Sequence, residues 1–193
     1  MKLMKQVILV TDGDASAREA VDYVSKELQC ELISESSGNP TRINSDTLIQ
    51  LILNAKKDLV LVLFDDCGFP DEGPGESVLI DVVQCPNIKI LGAIAVASQS
   101  YSHEWTRIDV SIDRNGTLTE FGVDKDGIRD TEVGRLRGDT VSVLDQLSIP
   151  MIVGIGDIGK MGGKDAIKMG APITKQAIEL IIERSGYNGS STR

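Results

Sequence analysis

The chain has 193 residues, of which 41% are apolar and 25% charged, which is the composition of a globular domain rather than a disordered or fibrous protein. Its 20 Lys and Arg residues against 29 Asp and Glu residues give a net charge of -9, which would repel a nucleic-acid backbone. The longest apolar runs, 59–64 and 93–97, are far shorter than the roughly 20 residues of a membrane-spanning helix. We therefore expect a single soluble domain over 1–193 that neither spans a membrane nor binds nucleic acid.

The N-terminal segment predicts a strand, a helix and a second strand. A β-branched run at 6–11 predicts the first strand, and apolar residues at helical spacing after Asp14 predict the helix. The second strand is expected over 30–34, followed by a loop that contains Gly and Pro. Either Asn44 or Ser45 then caps a second helix.

The next segment extends this alternation and indicates the fold class. Residues 59–64 are apolar at every position, which is typical of a parallel strand covered on both faces. A helix over 77–83 and a strand over 89–97 follow. The order predicts an α/β fold with a doubly wound, mostly parallel sheet, of the Rossmann-like or flavodoxin-like three-layer type.

A change of pattern after this strand predicts a β-hairpin insertion near 108–123. Residues 108–113 alternate apolar with polar side chains, and Asn115 and Gly116 suit the tight turn before a strand over 117–123.

The α/β alternation is then expected to resume. The sequence predicts a helix over 140–147, a strand over 150–155 and a last helix over 174–185. The tail over 187–193 is expected to be disordered.

The cysteines and the one histidine offer little chemistry. Cys30, Cys67 and Cys85 are odd in number and lack metal-ligand spacing, which argues against a zinc site or disulfides and favours a reducing compartment. His103 is the single histidine, and we interpret it as structural.

The first candidate site is the sequence TDGD, where the first strand should end. Asp12 and Asp14 would project from the carboxyl edge of the sheet, where open α/β folds bind ligands. Two carboxylates there can hold Ca²⁺ or Mg²⁺. Alternatively, Asp14 caps the first helix and Asp12 fixes the turn.

The second candidate is the acidic segment after the apolar run at 59–64. Asp65 and Asp66 end that strand, and three further acidic residues follow without a cation among them, Asp71, Glu72 and Glu76. A hard divalent ion would relieve their repulsion, and the segment lies beside TDGD if the first and third strands are neighbours. A solvated acidic loop is the alternative.

The third candidate is a glycine-rich segment after the last strand. Its backbone N–H groups and ammonium groups suggest contact with an anion, and the candidate residues are Asp157, Lys160, Gly162, Gly163 and Lys164. The spacing matches neither the P-loop nor the dinucleotide-binding pattern, so no nucleotide is implied. Alternatively, the glycines only permit tight packing.

Several segments together resemble a known family. They are VTDGD, SSGNPT, DDCGFPDEGPGE, RLRGDT, GDIGKMGGKDA and GAPITKQAIELIIERSG. The chain resembles the soluble stage V sporulation protein AE family over 6–186. The resemblance implies a role in sporulation and germination beside the membrane proteins of the same operon, which move dipicolinic acid with calcium into the forespore and release it later. It also implies a cytoplasmic or forespore location, peripheral to the inner spore membrane, but no catalytic residues.

These interpretations combine into one hypothesis of a non-enzymatic binding or accessory module. Lys160 and Lys164 suit the carboxylates of dipicolinate, and Asp12, Asp14 and Asp66 suit its calcium.

Two other classes of function stay open. The spacing of Asp12 and Asp14 also resembles metal-dependent phosphohydrolases of the haloacid dehalogenase type, where Asp12 would be the nucleophile and Asp14 the acid/base, and Toprim domains, where both would hold metal. A purely structural partner of membrane proteins would need no small-molecule site.

Overall fold

A computed structural model describes residues 4–68, 72–98 and 104–189 of the chain. The strands within these ranges are β1 (Lys5–Val10), β2 (Glu31–Leu32), β3 (Leu59–Leu63), β4 (Ile88–Val96), β5 (Trp105–Arg107), β6 (Val110–Ile112), β7 (Leu118–Thr119), β8 (Phe121–Val123), β9 (Arg129–Val133), β10 (Arg135–Arg137) and β11 (Ile152–Ile155). The α-helices are α1 (Ala15–Glu27), α2 (Ser45–Asn54), α3 (Pro74–Gln84) and α4 (Pro172–Ser185). None of these helices has the length and apolar character that a bilayer crossing requires.

The main sheet has seven strands in the order β2-β3-β1-β4-β11-β6-β7. All neighbouring strands pair in parallel except β6 and β7, which are antiparallel. The predicted α/β class is therefore confirmed, and the uniformly apolar β3 is buried along its whole length. Strands β1 and β3 are neighbours, as the proposed closeness of the two acidic segments requires.

Helices cover the sheet on both faces. Side chains alternate along β1, so that Ile8 and Val10 pack on one face with α1 and α4, whereas Val7 and Leu9 pack on the other with α2 and α3. All four side chains are fully buried, and each contributes roughly 1.5–3 kcal/mol of transfer free energy. The result is the three-layer arrangement expected from the sequence.

Polar side chains fix where the first two helices begin. The Oδ1 atom of Asp14 accepts a hydrogen bond of 2.8 Å from the backbone N–H of Ala17 and so caps α1. Asn44, not Ser45, caps α2 in the same way, through a bond of 2.9 Å from Thr47 N–H.

The insertion between β4 and β11 contains more strands than the single hairpin that the sequence predicts. The hairpin itself is confirmed, since β6 and β7 are joined by a turn in which Asp113 accepts from the N–H groups of Asn115 and Thr117. Gly116 adopts a φ of +81°, which favours glycine. Two further strand pairs follow, β8 with β9 and β5 with β10. Strand β9 was not predicted because its sequence is polar. It can be polar because it belongs to a small two-stranded sheet and buries none of its side chains fully.

The helix predicted over 140–147 was wrong. A short 3₁₀ helix at Ser142–Gln146 takes its place. Thr140 has a φ of +59°, which breaks the helix before it can start, and its hydroxyl accepts a hydrogen bond of 3.1 Å from the N–H of Asp66. A tertiary contact therefore overrides the local helical pattern. Of the predicted disordered tail, residues 190–193 lie outside the described residues, and 187–189 form no helix or strand.

Candidate functional site

The candidate site lies at the carboxyl ends of the neighbouring strands β1 and β3, from which the chain leaves toward opposite faces of the sheet. β1 leads into α1 on one face, and its neighbour β3 leads into α3 on the other. Loops that leave adjacent parallel strands toward opposite faces open a crevice between them, which is the usual ligand site of open α/β sheets. Asp12 and Asp14 follow β1 and Asp65 follows β3, so the fold brings the first two candidate segments to this crevice.

A cavity of about 450 Å³ occupies the crevice. The described residues that line it come from the ends of four neighbouring strands and from the loops beside them: Thr11, Asp12, Asp14, Asn39, Asp65, Cys67, Gly68, Val96, Ser98, Asp139, Asp157 and Lys160. Five of these side chains are carboxylic acids, and one is a lysine. The cavity is therefore strongly acidic, which disfavours a free anion and favours a cation.

Asp12 is one of two deeply buried acids of the cavity; it has an exposed fraction of 8%, the same as that of Asp65. Its Oδ1 atom accepts one long hydrogen bond, 3.3 Å, from the N–H of Asp14. Its Oδ2 atom has no hydrogen-bond partner among the described residues. Burial, reinforced by the charge of Asp14, raises the pKa of Asp12 from 3.8 to about 8. The carboxyl therefore holds its proton at neutral pH unless a cation or a donor comes to its free oxygen.

Lys160 bridges two acids at the mouth of the cavity. Its Nζ atom lies 2.9 Å from Oδ2 of Asp14 and 3.5 Å from Oδ2 of Asp157. Burial lowers the pKa of Lys160, but the hydrogen bond to Asp14 and the charge of Asp157 outweigh it, so the pKa is raised. Burial raises the pKa of Asp157, although Lys160 opposes this shift. The lysine is thus held as a cation and is already occupied by two carboxylates.

Asp65 is fixed by the backbone of its neighbours. Oδ1 accepts a hydrogen bond of 2.7 Å from Cys67 N–H, and Oδ2 accepts one of 3.3 Å from Gly13 N–H. Burial raises the pKa of Asp65 to about 6, and the charge of Asp139 adds to this effect. Burial also raises the pKa of Asp139. Asp139 was not predicted from the sequence, where its only local signal is an acid after Gly138 at the end of β10.

Asp66 does not line the cavity. Its Oδ1 atom accepts hydrogen bonds of 2.6 Å from Gly75 N–H and 3.2 Å from Glu76 N–H, so it caps the start of α3. Burial, together with the charge of Asp66, raises the pKa of Glu76 to about 7. The fold therefore separates Asp66 from Asp12, Asp14 and Asp65.

The glycine-rich segment contributes only part of its predicted residues to the cavity. Asp157 and Lys160 line it, whereas Gly162, Gly163 and Lys164 do not. The three residues lie on the exposed turn between β11 and α4, where both glycines have positive φ angles.

Asp165, which was also not predicted from the sequence, organises this segment. The residue is fully buried. Its carboxylate accepts hydrogen bonds from the backbone of Gly159, Ile173 and Thr174 and from the Thr174 hydroxyl, at 2.6–3.0 Å. It ties the loop to the start of α4 and so holds Lys160 in place. No local sequence signal marks an acid whose partners lie up to nine residues away.

The cavity is not a preformed metal cage. Within residues 4–68, 72–98 and 104–189, no three His, Cys, Asp or Glu side chains converge closely enough to hold an ion. A cation that brings ligands of its own could still use one or two of the carboxylates. For phosphohydrolase chemistry, Asp12 would have to lose its proton to act as a nucleophile, and Asp14 would have to leave its cap and its ion pair. Asp71 and His103 lie outside the described residues.

Comparison with protein families gives a match along nearly the whole chain. The model described as stage V sporulation protein AE1, SpoVAE, matches residues 6–185 of the 193-residue chain. No curated protein and no solved structure matches significantly. The resemblance seen in the sequence motifs is thereby confirmed. The chain belongs to the stage V sporulation protein AE1 family, which gives it a role associated with sporulation.

Proposed function

We propose that this protein binds calcium dipicolinate at the acidic crevice, as a non-enzymatic module that acts beside the membrane proteins of the same sporulation operon during uptake into or release from the spore. The single observation that carries the proposal is the unpartnered Oδ2 atom of Asp12, which is buried at the wall of a ligand-sized cavity. A buried polar atom without a partner is costly, so a ligand that satisfies it gains that free energy on binding.

The chemistry of the ligand fits a site with scattered carboxylates. Ca²⁺ takes 6–8 ligands, and dipicolinate supplies three of them through two carboxylates and its ring nitrogen. About three to five positions remain for protein oxygens and water. Asp12 and one further carboxylate, Asp14 or Asp65, therefore suffice, and a cage of three acids is not required.

Electrostatics favour the chelate over its separate parts. Five of the described residues that line the cavity are carboxylic acids, so a free dipicolinate anion would be repelled, whereas calcium in the chelate offsets this repulsion. Bare hydrated Ca²⁺ must exchange more of its water for protein oxygens and finds few of them converging. We expect calcium dipicolinate to bind more tightly than either component alone.

Calorimetric titration with calcium dipicolinate tests this function. Wild-type protein is expected to bind saturably, and Asp12→Asn is expected to lose at least tenfold in affinity while its circular dichroism spectrum stays unchanged. Glu179→Gln is the matched control, because it makes the same exchange of a carboxyl for an amide on the exposed side of α4. Equal affinity in Asp12→Asn and wild type would place the ligand elsewhere, and absence of binding by the wild type would reject the function.

A further inference from the structure

The proposed function leaves one chemical requirement unmet. When dipicolinate chelates calcium, each carboxylate uses one oxygen for the metal and leaves the other directed outward as an acceptor. Lys160 lies at the cavity, but its ammonium group is already shared by Asp14 and Asp157 at 2.9 and 3.5 Å. An outward carboxylate oxygen therefore needs another cation near the same site.

A groove of about 700 Å³ continues the cavity along α1. Asp14 and Asn39 line both spaces, so a ligand can extend from one into the other. Arg18 lines the groove and is exposed. It lies four residues after Asp14, which places it one helical turn further along the same face of α1.

Arg18 is the one cation among the described residues that line the groove. Its guanidinium group makes no hydrogen bond or ion pair with any described residue. Three acids are among the described residues that line the groove, and two of them are already paired, Asp14 with Lys160 at 2.9 Å and Asp22 with Lys26 at 2.6 Å; the third is Glu19. In a chain with a net charge of -9, acids outnumber cations. A guanidinium that pairs with none of the described acids is therefore unusual and is available to a ligand.

We infer that Arg18 is a specificity-determining residue of the ligand site, where it binds the outward carboxylate of a chelate whose cation lies at Asp12. This inference rests on the proposed function and adds to it a selection for ligands with a second carboxylate. The planar guanidinium presents several N–H donors in a fixed geometry to the outward carboxylate oxygen, which the ammonium of lysine does not reproduce.

Variants at Arg18 test the assignment in the same calorimetric titration. Arg18→Gln is expected to weaken calcium dipicolinate binding about tenfold, which corresponds to about 1.4 kcal/mol. Arg18→Lys is expected to recover only part of the loss. Arg184→Gln is the matched control, because it removes an exposed arginine from the far end of α4.

A second ligand separates a specific contact from a general charge effect. In the diamide of dipicolinate, both carboxylates become carboxamides, which keep three donor atoms for calcium but leave no carboxylate for Arg18 in either orientation of the ligand. If Arg18 binds an outward carboxylate, the calcium complex of the diamide binds the wild type more weakly, and Arg18→Gln weakens that binding little further.

The outcomes distinguish the two proposals. Loss of binding in both Asp12→Asn and Arg18→Gln, with Arg184→Gln unchanged, supports the assignment. Loss in Asp12→Asn with wild-type affinity in Arg18→Gln overturns the role of Arg18 and leaves the proposed function standing. Equal weakening in Arg18→Gln and Arg184→Gln also overturns it, since the effect is then one of net charge. A wild type that binds no calcium dipicolinate overturns both.

Discussion

Replacement of Asp12 by Asn should stabilise the protein, although it removes the central group of the proposed site. The pKa of Asp12 is raised from 3.8 to about 8 in the folded chain. Between these values the folded state holds one proton more than the unfolded state, so the free energy of unfolding falls as pH rises, by about 1.4 kcal/mol per pH unit. Asn has no titrating proton, so the variant does not lose free energy of unfolding at this position as the pH rises. At pH 7, about three pH units above the unfolded pKa, the variant is expected to be more stable by about 4 kcal/mol at most.

Urea unfolding of both proteins between pH 4 and pH 8 measures this difference. The stability advantage of Asp12→Asn should be near zero at pH 4 and should grow until about pH 8. Asp65 and Glu76 also have raised pKa values, of about 6 and about 7, but they titrate in both proteins and cancel in the difference. A difference that stays constant with pH, or a variant less stable than wild type at pH 8, would refute the assignment of a buried, proton-holding Asp12.

Three further changes test other parts of the fold and site. Asp165→Ala should lower the free energy of unfolding by roughly 3–5 kcal/mol, because it leaves several buried donors unsatisfied, and a loss below about 1 kcal/mol in urea titration would contradict that role. Gly13→Ala should destabilise the chain and distort the crevice, since the added methyl carbon would lie 2.5 Å from the carbonyl oxygen of Gly38; an unchanged melting temperature would show that the loop yields freely. Glu76→Gln should flatten the decline in stability between about pH 4.5 and pH 7, and an unaltered pH profile would count against a buried carboxyl there. Calcium dipicolinate binding at pH 7 should release close to one proton from Asp12, seen as a dependence of the binding heat on the ionisation enthalpy of the buffer, and equal heats in all buffers would speak against that group as the ligand.

Sequence patterns predicted those parts of the fold that a local signal determines. The apolar run of β3 and the capping side chains of Asp14 and Asn44 identified the α/β order, because burial on two faces and unsatisfied helix N–H groups leave direct marks in the sequence. Strand β9 and the 3₁₀ helix were mispredicted because their conformation depends on contacts with distant residues. Thr140, for example, accepts a hydrogen bond from the N–H of Asp66, which lies 74 residues earlier in the chain.

The candidate site was predictable only in part. Asp12 and Asp65 could be placed together once β1 and β3 were taken as neighbours, since the carboxyl ends of parallel strands meet at one edge. The alternation of strands and helices along the chain does not reveal that Asp65 and Asp66, although adjacent, accept hydrogen bonds from different parts of the backbone. Nor does it show that Lys160 is paired by two carboxylates, because those pairs join residues up to 146 positions apart.

The long insertion between two adjacent strands has a consequence for how the protein folds. Ile152 of β11 pairs with Ala93 of β4, roughly 60 residues earlier, and closing such a loop costs entropy before the pairing stabilises anything. The strands β1, β3 and β4 pair within the first half of the chain, so we expect their amides to gain hydrogen-exchange protection before those of β11. Asp12 belongs to this early part, whereas Lys160 arrives with the late part. The crevice thus becomes complete at the end of folding, and a nascent chain that has formed only its first half carries the unneutralised acids without their lysine.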